Sequence, residues 1–206
     1  MSDITPSSFT FLADHIGLDF ANTVHWHASD QPIDTLTDYK ALARWSHEAR
    51  ILDETQFNVL MEKAAQSPTE AGEVHARAVA LREAIYRICV AVIHGQALVE
   101  GDLATLNDEV SYWRANARLV PNSDGFIWDY NVDLSALDSP LWPIARKTAD
   151  LLTSENIHRI GQCADNRGCG WLFLDTSKNH SRRWCDINDC GNRAKQRRYQ
   201  KRRENE

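Results

Sequence analysis

No stretch of this 206-residue chain approaches the 18 or more consecutive apolar residues that a membrane span needs, so a transmembrane protein is not expected. The opening MSDITPSSFTFLADH has neither the basic start nor the apolar centre of a secretory leader, and the expected location is the cytoplasm. No internal repeat is visible, and no low-complexity stretch outside a basic tract near the end. No catalytic motif stands out, and no nucleophile–base pair can be assigned from spacing, so an enzyme is the least supported class. Cysteine is scarce but clustered. Of five, Cys163, Cys169, Cys185 and Cys190 crowd into 28 residues; in a reducing compartment such a group is a metal site rather than a set of disulfides. The fifth, Cys89, lies in the apolar stripe of a predicted helix and reads as a small core hydrophobe.

What is present divides in two by charge. Residues 1–158 carry 11 Lys and Arg against 23 Asp and Glu, a balance of −12, whereas residues 159–203 carry 12 against 4, a balance of +8. The pI near 5.7 therefore conceals a basic module that a polyanion would approach while being repelled by the rest. A solvated tail is the plain alternative, but such tails seldom follow four cysteines. With 43% hydrophobic and 25% charged residues, the chain can bury one ordinary core and carry one small appendage.

Helical periodicity dominates the first part. FTFLADHIGLDFANTV reads as an irregular or strand-like opening into a short helical turn. A helix using Leu36, Tyr39, Leu42 and Trp45 is expected, capped by Asp34 or Thr35; a second starts near Asp53, buries Phe57, Leu60, Met61 and Ala64, and ends before Ser67-Pro68. The clearest is the third, where Val74, Ala78, Leu81, Ile85, Ile88 and Val92 recur at alternating intervals of four and three up to His94-Gly95. A fourth follows Gly101-Asp102 with Leu103, Leu106, Val110 and Trp113. Arg118–Val120 and Phe126–Trp128 flank a PNSDG turn as a hairpin. After a loop ending at Pro140, a last helix uses Leu141, Ile144, Thr148, Leu151 and Leu152 and is expected to run to about Ile160, two residues short of Cys163.

The cysteine module has its own logic. Five residues separate Cys163 from Cys169, fifteen lead to Cys185 and four more to Cys190, so each pair can fold back as a knuckle. Trp171–Leu174 reads as a strand, DTSKNHS as a turn and Arg182–Trp184 as the return strand, which would bring the pairs together. A helix follows, giving a treble-clef-like finger. Four thiolates would fill the coordination sphere of one structural Zn²⁺ and leave no place for a substrate or water. Comparable sites contribute about 10–16 kcal/mol to folding, which a unit this small needs; a chelator is expected to melt the finger and spare the helical body.

The tract after Cys190 has no apolar stripe. Arg193, Arg197 and Gln200 share one helical face and Lys195, Arg198 and Arg202 another, with Ala194 and Tyr199 left for packing and Lys201 a further cation of the tract. Together with Arg182, Arg183 and Asn192 these are the candidate nucleic-acid contacts; Arg167, Arg182, Arg183 and Arg193 could equally steady the metal site.

The stretch CGWLFLDTSKNHSRRWCDINDCGNRAKQRR resembles the CGNR zinc finger, with its Cys pairs, LFLDTS strand, RRWC and the signature CGNR. Upstream, GLDFANTV, LREAIYRI and LWPIARKTADLL resemble the ABATE domain that accompanies this finger. The resemblance implies a stress-responsive transcription regulator: residues 1–158 a helical sensor domain, residues 159–206 a finger holding zinc at the four cysteines and meeting DNA around Arg193. One departure is that the first pair, CADNRGC, is one residue longer than the family spacing, which makes Asp165 a substitute ligand.

For the helical part, Asn22, Arg82 and Tyr86 are the candidates for holding a small anion or carboxylate effector; the competing reading has Asn22 capping a turn and Arg82 paired with a carboxylate. His25 and His27 flank Trp26 and read as surface histidines, since no third metal ligand has suggestive spacing. The expected fold is mainly α, a helical bundle with a small β-hairpin followed by the finger. The leading function is a DNA-binding regulator whose helical part senses a small molecule or forms a homodimer. An RNA-associated or protein-interaction zinc module is the alternative, and an enzyme in the helical part comes third.

Overall fold

The computed structural model describes residues 9–130 and 135–203, and the loop expected before Pro140 lies partly outside them. Helices begin where a side chain can satisfy the first free N–H groups. His15 Nδ1 accepts from Gly17 N at α1 (Ile16–Ala21), Asp38 Oδ1 from Ala41 N at α2 (Tyr39–Glu48), and Asp53 forms a capping box with Gln56 at α3 (Glu54–Gln66). The cap of α2 is thus Asp38, not Asp34 or Thr35. Asp34 ends a short strand pair, β1 (Val24–His25) with β2 (Ile33–Asp34), and its carboxylate is engaged by Leu36 N and Arg82.

The central helix is α4 (Pro68–His94). Pro68 opens it, where no N–H is missed, and Gly95 closes it in the left-handed region at φ 62°. Its stripe of Val74, Ala78, Leu81, Ile85 and Ile88 is buried, as is Cys89. Across it pack α5 (Glu100–Asn116) and α6 (Leu141–Leu152). The hairpin formed by β3 (Ala117–Asn122) and β4 (Gly125–Tyr130) sets Leu119 opposite Trp128 and turns between Asn122 and Gly125. Trp45, fully buried between Phe11 and Phe20, anchors the other end of the core. Each such side chain contributes roughly 1.5–3 kcal/mol through burial.

Beyond α6 the chain departs from expectation. The helix stops at Leu152 instead of continuing to Ile160; Ser154 caps a 3₁₀ turn (Glu155–Arg159), and Ile160–Gln162 becomes strand β5. That strand pairs antiparallel with β6 (Leu172–Leu174), with Gly161 opposite Phe173. Trp184 and the residues before it are not the strand partner. Their link to the first knuckle is a single bond from Ala164 N to Arg183 O. The reversal through Gly168 (φ 92°) and Gly170 (φ 69°) returns the chain beside 160–162 first, and this nearer pairing satisfies the ladder.

Nor is the finger a loose appendage. Ile160 and Leu172 belong to the core of the helical body. The outer edge of β6 is covered by the opening segment: Asn22 Nδ2 donates to Leu172 O (2.9 Å), Leu172 N donates to Asn22 Oδ1 (2.8 Å), and Leu174 N donates to Ala13 O (2.8 Å). A side-chain amide standing in for a neighbouring strand leaves no unpaired backbone there.

Candidate metal centre and nucleic-acid interface

Cys163, Cys169, Cys185 and Cys190 are all buried, and their sulfurs lie within 4.8 Å of one another. Cys169 and Cys185 are 3.7 Å apart and Cys185 and Cys190 3.5 Å, far beyond a disulfide bond. A tetrahedron with metal–sulfur bonds of about 2.3 Å has edges of about 3.8 Å, so the donor set fits one zinc ion closed on all sides. Asp165 is not a substitute ligand: its carboxylate oxygens accept from arginines instead. Trp171, Phe173 and Trp184 surround the sulfurs, together with Leu12 and Trp26 from the helical part.

The knuckle is clasped by the β1–β2 loop. His27 N donates to Cys169 O and Ala28 N to Gly168 O, both at 3.1 Å. A Cβ on Gly170 would come within 2.7–2.9 Å of Ala28 and the Tyr86 hydroxyl, which together with its φ requires glycine there. Trp171 Nε1 donates to Val24 O (2.9 Å), and its indole packs 5.0 Å from the His25 ring. His25 and His27 are therefore half-buried packing residues rather than surface histidines: burial lowers the His25 pKa, and His27 Nε2 lies 3.1 Å from Glu83 while its ring rests 3.6 Å from Tyr86. Burial works to raise the Glu83 carboxyl, but His27 and Arg82 outweigh it and hold it below the ordinary range.

The cations fall into two sets. Arg182 faces inward: Nη1 donates to Asp14 Oδ2, Nη2 to Leu12 O and Cys185 O (each 2.7 Å), and Nε to Trp184 O, with the guanidinium stacked 4.6 Å from the Phe173 ring. After a π-turn capped by Asp186 (Ile187–Gly191) that contains the fourth cysteine, the basic helix α7 (Asn192–Arg203) starts two residues beyond Cys190. Arg193 and Arg197 point back to the knuckle. Arg193 Nη2 donates to Cys190 Sγ (2.8 Å), Nη1 pairs with Asp189, and both residues bond Asp165. Burial works against the charge on Arg193, but Asp189 and Cys190 overcome it and raise its pKa. Lys195, Arg198, Lys201 and Arg202 are exposed, as are Asn192, whose Nδ2 donates to Asn188 O, and Arg183, whose guanidinium lies 5.5 Å from the Trp184 ring.

The three effector candidates are all buried with their polar atoms in use. Asn22 ties down β6. Arg82 forms a bidentate pair with Asp34 (2.7 and 2.9 Å) and also bonds Glu83, while the Tyr86 hydroxyl accepts from Gln162 Nε2 (2.9 Å). The contributions of Trp26, Asp165 and Glu83 were not read from the sequence; an Asp inside a cysteine loop followed by Arg at 167, 193 and 197 was the available sign.

A four-cysteine structural zinc site seated on a helical body and leading into a basic helix defines a zinc-finger protein. Two family profiles match: the ABATE family, described as "Putative stress-induced transcription regulator", over residues 14–155, and the CGNR zinc finger over residues 159–203. The chain belongs to the ABATE family and carries a CGNR zinc finger. A search of curated proteins found no match. No helix among the described residues is long and apolar enough to cross a membrane.

Proposed function

We propose that this protein is a DNA-binding transcription regulator in which the zinc site holds α7 against the helical body and presents its cations to the phosphate backbone. The observation that carries this reading is that Lys195, Arg198 and Arg202, spaced three and four residues apart, line one exposed face of a helix that begins two residues after the fourth cysteine. When bound, zinc supplies structural cross-linking only, because its four sulfurs leave no position for water. The chain's own residues then act electrostatically. The acidic body turns away from nucleic acid, and Lys195, Arg198, Lys201 and Arg202, joined by Arg183, meet phosphates.

Binding of zinc-loaded protein to duplex DNA and to duplex RNA, measured across a salt series, tests this. With four or five phosphates neutralised, log affinity for DNA should fall with log salt at a slope of about −4. A binding curve indifferent to salt, or tighter binding of RNA at matched salt, overturns the reading.

The helical part is the sensor in this scheme. A cleft of about 530 Å³ lies where the β1–β2 loop meets the knuckle, lined by Ser29, Asp30, Gln162, Asn166 and Arg167. A small polar molecule lodged there would touch both parts, and Tyr86, whose hydroxyl accepts from Gln162 Nε2, supports one wall of the cleft. Substituting Gln162 by Ala should abolish any effector response of DNA affinity; an unchanged response removes the cleft from this role.

A further inference from the structure

One side of α7 is held by two loops that are remote in sequence. Asp165, within the first cysteine loop, has a side chain with 0% exposure and faces three guanidiniums: Arg167 Nη2 at 3.3 Å, Arg193 Nε at 3.4 Å and Arg197 Nη2 at 2.9 Å. Trp26, from the β1–β2 loop, lies under two of them, with Arg167 5.1 Å and Arg193 5.2 Å from its ring centroid. Arg193 also reaches the sulfur of Cys190. Such charge-assisted contacts, shielded from water by an indole, are stronger than exposed ion pairs. Arg193 and Arg197 are one helical turn apart, so fixing both sets the axis of the helix and not only its first residue.

We infer that Asp165 is the positioning residue of the basic helix: it keeps Arg193 and Arg197 on the protein side, where they aim α7 and do not meet phosphate. The reading face is then left to Lys195, Arg198 and Arg202, with Lys201 a turn beyond Arg197. The first half of this inference concerns the free protein; the second rests on the DNA-binding reading above.

The test uses full-length, zinc-loaded protein with Asp165→Asn, Arg197→Ala and Arg198→Ala. Hydrogen exchange without DNA should speed up about tenfold or more at residues 192–199 in Asp165→Asn while zinc stays at one per chain; unchanged exchange overturns the inference. Should Asp165→Asn lose zinc, Arg197→Ala, which leaves Arg193 on Asp165 and Cys190, must show the faster exchange instead, and its failure to do so is equally fatal. On duplex DNA, Arg198→Ala should flatten the salt slope by about 0.9 and Arg197→Ala should leave it unchanged, while Asp165→Asn should steepen it by up to about 1.8 as two cations come free. A loss of about 0.9 in Arg197→Ala would show Arg197 on a phosphate and overturn the inference. If wild-type protein binds no duplex at all, the DNA-binding reading fails, and exchange still decides whether Asp165 positions the helix.

Discussion

Asp19 lies beneath the opening segment, and its Oδ1 accepts from both Leu12 N and Ala13 N at 2.9 Å. Burial nevertheless pushes its carboxyl up to about 6, because the two hydrogen bonds and the nearby Arg182 charge do not offset the lost hydration. A carboxyl whose pKa is higher in the folded than in the unfolded chain binds protons preferentially in the native state. Stability from this residue is therefore greatest below pH 4 and is lost as pH rises toward and past 6. Asp19→Asn keeps an acceptor for both N–H groups and removes the charge. Urea unfolding at pH 5.0 and 7.5 should show the variant gaining about 1–2 kcal/mol over wild type at pH 7.5, and about half as much at pH 5.0. A difference independent of pH would mean that Asp19 is not the group responsible. Arg182 is the opposite case, a cation that stabilises by saturation. Lysine cannot reproduce its fork to Asp14, Leu12 O and Cys185 O, and Arg182→Lys should cost about 2 kcal/mol or more in the same assay, since buried carbonyls lose their donors.

Among the elements, the β5–β6 pair depends on glycines that have no say in periodicity. Gly170→Ala would place a methyl against Ala28 and the Tyr86 hydroxyl at a left-handed φ of 69°. The expected loss is about 2 kcal/mol or more, seen as a fall in Tm of about 4–8 °C; an unchanged Tm would mean that the clasp between knuckle and β1–β2 loop does not bear on stability. The same clasp explains what could be read beforehand. The stripe of α4, the start of α3 near Asp53 and the β3–β4 turn are local patterns, and all three elements form where their residues indicate. The four cysteines were legible because metal chemistry restricts residue type and spacing together. The pairing of 172–174 with 160–162 was not, because Arg182–Trp184 offered an equally good strand pattern and the choice depends on how tightly the knuckle turns. The two faces of α7 were legible as faces, but with no apolar stripe nothing marked which one turns inward; the partners that hold the inward face include a carboxylate 28 residues before Arg193 and the Trp26 ring, both remote in sequence.

At the scale of the whole molecule, the acidic body and basic finger are joined by more than a short connection. Ile160 and Leu172 sit in the main core, Leu12 and Trp26 sit in the zinc cluster, and the backbone of residues 13, 27 and 28 is bonded to the finger. Zinc removal withdraws about 10–16 kcal/mol of binding free energy from a segment with few apolar contacts of its own, so residues 163–203 lose their order. The loss should not stop at the family boundary near residue 159. His27 and Ala28 would lose their acceptors at Cys169 and Gly168, and Asn22 would be left buried without Leu172, so the opening segment should loosen with the finger. The interior of α4, held by α5 and α6, should not. Hydrogen exchange before and after chelation at pH 7.5 should thus show lost protection at residues 12–28 alongside 163–203, with residues 78–91 still protected. If residues 12–28 keep their protection while the finger exchanges freely, the two parts fold independently. A signal could then no longer pass between them through the contacts at Trp26, His27 and Asn22.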